Sequence, residues 1–147
     1  MDQDAFRRTY REINDRLCAY EKSLLSQQCQ CSQAKKICIA EREGVHCLSD
    51  EAQHQCLELQ SALRQQARFA LKTNNDRAVL PHAQAMRLQV GGLRGLYAAL
   101  FPDTDTPPSI EDVHGLINQA RETYGSIEGL PFQILIQHVS AYQGRRR

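Results

Sequence analysis

The chain has 147 residues, of which 41% are apolar and 24% charged, with a net charge of +1. Such a chain is long enough to bury one core and too apolar to remain disordered. The near-zero charge excludes a strong general attraction to nucleic acid or an acidic membrane. No apolar run approaches the roughly 20 residues that a membrane span requires.

The first fifteen residues, MDQDAFRRTYREIND, are charged throughout and do not read as a secretory signal. The expected location is therefore the cytoplasm, where six cysteines read as thiols or metal ligands in preference to disulfides.

From Asp4 to about Gln27, the apolar residues Phe6, Tyr10, Ile13, Leu17, Tyr20 and Leu24 recur at alternating spacings of four and three. This is a heptad seam, and it predicts one long amphipathic helix. Its face is the expected surface for a protein partner or a second copy, unless it packs within the chain. Ser32 to Glu43 reads as a short second helix stopped by Gly44, with Ala34, Ile37 and Cys38 inward. Ser49 with Asp50 and Glu51 starts a third helix to about Lys72, whose inner stripe holds Cys56, Leu59, Leu63, Ala67 and Ala70.

After a loop at Thr73-Asn74-Asn75-Asp76, Pro81 opens a fourth helix through Phe101. Gly91 and Gly95 lie one turn apart in it. Because each costs about 1 kcal/mol against Ala, the pair implies close approach of another helix backbone or a break near Gly91-Gly92. The Pro-rich linker PDTDTPP follows, and Ser109 to Asp112 reads as a capping box for a helix ending at Gly125. A last helix runs from Phe132 to Tyr142, and the chain closes on Gly144 and three arginines.

The expected fold is all-α, an irregular bundle of five or six helices with a long amphipathic N-terminal helix. It forms a single domain. Residues 1–101 are a cysteine-containing helical core, 102–108 the linker, 109–143 a C-terminal helical hairpin and 144–147 a basic tail.

The cysteines carry the chemistry. Gln27 to Cys47 holds Cys29, Cys31, Cys38 and Cys47, and Cys56 follows nine positions on. Four thiolates suffice for zinc or an iron–sulfur cluster. The C-x2-C pairs of structural zinc sites are absent. On a straight helix, Cys31 and Cys38 would stand about 10.5 Å apart, and Cys29 and Cys31 would point about 200° apart. Sulfurs bound to one zinc ion lie within about 4 Å of each other. A centre at Cys29, Cys31, Cys38 and Cys47 therefore requires Gln28 to Ser32 to be a loop and the chain to fold back at Gly44. Cys56 and His46 are substitute ligands.

Cys18 adjoins the seam and reads as packing, and Cys38 and Cys56 also read as core. Cys29, Cys31 and Cys47 lie among Gln, Ser and His at predicted helix ends, where packing explains them poorly. Two functions follow. The first is a small helical protein whose cysteine cluster binds zinc or an iron–sulfur centre, or senses redox state through Cys29 and Cys31. The alternative is an interaction module with incidental thiols. No constellation of catalytic residues stands out, so an enzyme is the weakest reading.

Overall fold

The computed structural model describes residues 3–71 and 79–144, with side chains from Ala5 onward. The loop at Thr73 to Asp76 and the three terminal arginines lie outside the described residues. The chain is mostly helical, but it is not all-α, because the expected second helix is a β-hairpin. Helix α1 (Gln3–Ile13) and the short α2 (Glu21–Leu25) lead into strands β1 (Ala34–Ile39) and β2 (Arg42–Cys47). Helices α3 (Asp50–Gln66) and α4 (Arg68–Leu71) follow, then α5 (His82–Met86) and α6 (Gly92–Leu100), and finally α7 (Val113–Tyr124) and α8 (Phe132–Ala141). A π turn over Arg87–Gly91 joins α5 to α6.

The N-terminal seam does not form one helix. It stops at Asn14, whose buried side-chain amide donates to Val45 O at 2.9 Å and to Tyr10 Oη at 2.9 Å. Asparagine is a weak helix former because its amide competes for backbone groups, and here it trades the next helical turn for a link to β2. The seam is thereby split. Tyr20 and Leu24 enter the core, whereas Ile13 and Leu17 remain 57% and 44% exposed.

The hairpin replaces the helix expected over Ser32 to Glu43. Its strands pair antiparallel from Ala34 with Cys47 to Ile39 with Arg42, which leaves a two-residue turn at Ala40-Glu41. Both turn residues have positive φ, 50° and 70°, as a primed hairpin turn demands. Pairing buries Ile39, Val45 and Cys47, and β-branched Ile and Val suit a pleated surface. Gly44 is a strand residue, not a helix stop. A Cβ there would collide with the ring of Tyr10, which lies across it and donates its hydroxyl proton to Glu21. Since Ala40 and Glu41 adopt a conformation that L side chains resist, Glu41→Gly is expected to stabilise the fold by about 1 kcal/mol. A urea midpoint that rises at unchanged slope is the readout.

The third predicted helix appears with its cap, Ser49 Oγ accepting from Ala52 N at 3.1 Å, and is divided at Ala67 into α3 and α4. Its stripe of Cys56, Leu59, Leu63 and Ala67 is buried. The paired glycines do admit another backbone. A Cβ on Gly91 would lie 2.6 Å from Val139 Cα, and one on Gly95 would lie 2.8 Å from Leu135 Cα, so α8 rests directly in the notch.

Helix α7 begins three residues later than the capping-box reading placed it, with Asp112 as its N-cap and Gly125 (φ 86°) ending it. Ile110 instead forms a parallel bridge with Cys29. Residues from both sides of the linker share one core, in which Leu59, Leu63, Leu93, Leu96, Ile117 and Leu135 are fully buried. Helices α7 and α8 are thus integral to a single core, each packing on α6 and α3 and not chiefly on one another as a hairpin would. Among the described residues, no helix is long and apolar enough to cross a membrane.

Candidate functional site

Three stretches of extended chain and the start of α3 meet at one end of the core. The segment after α1 pairs with β2: Cys47 N donates to Arg16 O at 2.8 Å and Cys18 N to Val45 O at 3.0 Å. Leu17 bridges His46 in the same antiparallel ladder. Cys18 and Cys47 thereby become neighbours.

The loop before β1 is held from two sides. Gln30 N donates to Ile110 O at 2.8 Å, Val113 N to Gln30 O at 2.9 Å, and Leu48 N to Gln33 O at 2.8 Å. The Asp112 carboxylate accepts from Ser32 N at 2.9 Å. Burial acts to raise the pKa of Asp112, but hydrogen bonds from the backbone amides of Ser32 and Gly115 outweigh it and hold the group below the usual range. Cys31 is thus braced against the N-terminal end of α7.

Helix α3 closes the arrangement, tied down by Gln53 Nε2 donating to Leu17 O at 2.9 Å and Gln60 Nε2 donating to Ala19 O at 2.8 Å. Cys56, nearly two turns in, faces the same space. The result is a small, mainly apolar cavity lined by Cys18, Cys31, Cys47 and Cys56, with Tyr20 and Val113 completing its wall.

The thiols sense one another. Cys56 lies within electrostatic reach of Cys31, Cys18, Cys47 and Cys29, and Cys18 within reach of Cys31 and Cys47. Burial is the largest influence on each. It pushes Cys18 up to about 12, partly countered by the Tyr20 backbone amide donating to its sulfur. Burial likewise raises Cys31, against the amides of Gln33 and His114, and raises Cys56 well above its ordinary range. The cysteines of the described chain are free thiols. Burial keeps such thiols protonated at neutral pH, where they are slow nucleophiles.

The amide contacts to sulfur follow a pattern. The backbone amide two residues on, Tyr20 for Cys18 and Gln33 for Cys31, acts to lower the thiol's pKa in each case. Such donors stabilise negative charge on sulfur, which a metal-bound thiolate carries and a thiol does not.

Two of the four ligands expected from the sequence, Cys31 and Cys47, line the cavity, as does the substitute Cys56. Cys38 does not: it is exposed on β1 opposite Glu43, four residues from the Ala34–Cys47 pair, or about 13 Å along the strand. Cys29 is 2% exposed and packs in the core at the Ile110 bridge, outside the cavity wall. His46 points away, as strand alternation demands between inward Val45 and Cys47, and its Nδ1 meets Asn14 Oδ1 at 2.8 Å. Cys18, read from the sequence as a packing residue, packs against the core and also lines the cavity. Its place beside Cys47 was not legible because the heptad pattern ran straight through Asn14-Asp15. Two poor helix formers side by side were the available signal.

The four thiols ring the cavity and do not meet at a point. Among the described residues, no three Cys, His, Asp or Glu side chains stand close enough as they are to hold one metal ion. Comparison with family models, curated proteins and solved structures finds no match for this chain.

Proposed function

We propose that this protein carries a metal centre bound by the thiolates of Cys18, Cys31, Cys47 and Cys56. The observation that supports this reading most is the convergence of four cysteines, from four separate segments, on one cavity. Packing alone rarely collects small thiols so densely, and four thiolates satisfy either zinc or an iron–sulfur cluster. Amide donors already aimed at two of the sulfurs would stabilise the charged ligands. A reducing compartment such as the cytoplasm would keep the thiols available.

The test is direct. Protein purified without oxygen should contain near-stoichiometric metal, measured by elemental analysis together with the absorption spectrum. Changing Cys31 and Cys47 together to Ser should remove it, with the helical circular dichroism signal retained. A wild-type protein that is free of zinc and iron when isolated, and takes up neither when supplied, would sink the proposal.

A further inference from the structure

We infer that a second cavity, which shares no lining residue with the thiol cavity, binds a small organic anion: an oxyanion head group on an apolar body. This site goes beyond the thiol centre and does not depend on it. The cleft has a volume of about 550 Å³, within the range of roughly 300–1,000 Å³ typical of small-molecule sites. Its walls come from α2, α3, the residues leading into α5, and the π turn. Among the described residues that line it, the charged side chains are Lys22 and Arg64, and no Asp or Glu stands with them. Two cations facing one space bounded by protein concentrate positive potential there, which an anion offsets. Arginine also offers a planar fork of N–H donors that matches the oxygens of a carboxylate or a phosphate. Much of the remaining wall is apolar, with Leu57, Leu80 and Leu88. Val79 lines the cleft although it is 92% exposed, and an apolar body would cover it.

The π turn supplies an independent observation. Such turns are rare and frequently mark functional positions. This one carries Leu88 and Gln89 to the wall of the cleft. Gln89 is only 8% exposed, and its Oε1 accepts the hydroxyl proton of the buried Ser23 at 2.6 Å. That bond fixes which way round the amide lies. Its oxygen is engaged by α2, so what the side chain offers an occupant is its NH2 group, a donor. A buried donor beside two cations suits an oxyanion and disfavours a cationic ligand.

The experiment titrates the full chain by calorimetry with four probes: decanoate, decyl phosphate, decanol and inorganic phosphate. The expected result is one site per chain for the amphiphilic anions, and the tighter of the two names the head group. Decanol, which lacks the charge, and inorganic phosphate, which lacks the chain, should each bind at least tenfold more weakly. Arg64→Gln should weaken binding of the anions by about tenfold, in line with the loss of a charged hydrogen-bond donor. Lys22→Gln should weaken it by a smaller factor, because Lys22 is exposed and its charge is screened. Neither substitution should alter the binding of decanol.

Failure of both decanoate and decyl phosphate to bind would overturn the inference, and so would decanol binding as tightly as either. Anion binding that neither substitution weakens would place the site elsewhere and overturn it too. Inorganic phosphate binding as tightly as decyl phosphate would refute the apolar half of the site. Lys22→Gln changes an exposed side chain and keeps the fold, so the cationic half stays testable even where Arg64→Gln does not fold.

Discussion

Cys18→Ser is expected to empty the thiol cavity, whereas Cys38→Ser leaves it filled. The two variants separate the ligand set proposed from the cavity from the one expected from the sequence alone. Cys18 stands on the cavity beside Cys47, bound into the ladder through Val45 O. Cys38 is exposed near the far end of the hairpin. Serine has nearly the volume of cysteine but is a poor ligand for soft metals. Its hydroxyl at position 18 costs about 1–2 kcal/mol in a largely enclosed place, within the reserve of an ordinary domain. The fold should therefore persist while metal retention under chelator falls tenfold or more. Elemental analysis of both variants beside the wild type provides the measurement. The opposite pattern, with Cys38→Ser empty and Cys18→Ser full, would refute the assigned ligands.

Gly91→Ala should produce the largest loss of stability from a single methyl group, about 2 kcal/mol or more. The added Cβ would lie 2.6 Å from Val139 Cα and 2.8 Å from His138 O. Both are backbone atoms of α8, so no rotamer change relieves the clash. Helix α8 must move, and with it Leu135 and Val139, which are fully buried. Gly92→Ala is the matched control. Its Cβ meets only side-chain atoms of Leu63, the nearest being Cδ1 at 2.7 Å, and no backbone. Both substitutions gain about 1 kcal/mol of helix propensity, so the difference between them isolates the backbone contact. Urea unfolding should show a clearly lower midpoint for Gly91→Ala at similar slope. Equal midpoints would refute the close-packed notch.

Helix α3 was legible in the sequence because every signal for it is local: Ser49 as cap, acids in the first turn, and a stripe at Cys56, Leu59 and Leu63. Gly125 as a helix stop was legible for the same reason. The Gly91 and Gly95 pair announced a backbone contact, although nothing local named α8 as its partner. The hairpin was misread because six residues per strand are too few for an alternating pattern to outweigh a helical one, and Ala40-Glu41 lacks the usual Asn-Gly signal. Its stability comes from pairing and from Asn14, Tyr10 and Glu21, all distant in sequence. The break at Asn14 was hidden by a heptad seam that continued on both sides of it.

The cavity shows the same division. The number and crowding of the cysteines single them out in the sequence, and Cys31, Cys47 and Cys56 were marked there. Which of them share a space was decided by tertiary structure alone. Periodicity records which way a side chain faces within its own element, and so it placed Cys56 inward and the glycines at a contact. It carries no record of which distant segments pair. The ladder between residues 16–18 and 45–47 brings in Cys18, and the two-residue turn sends Cys38 away.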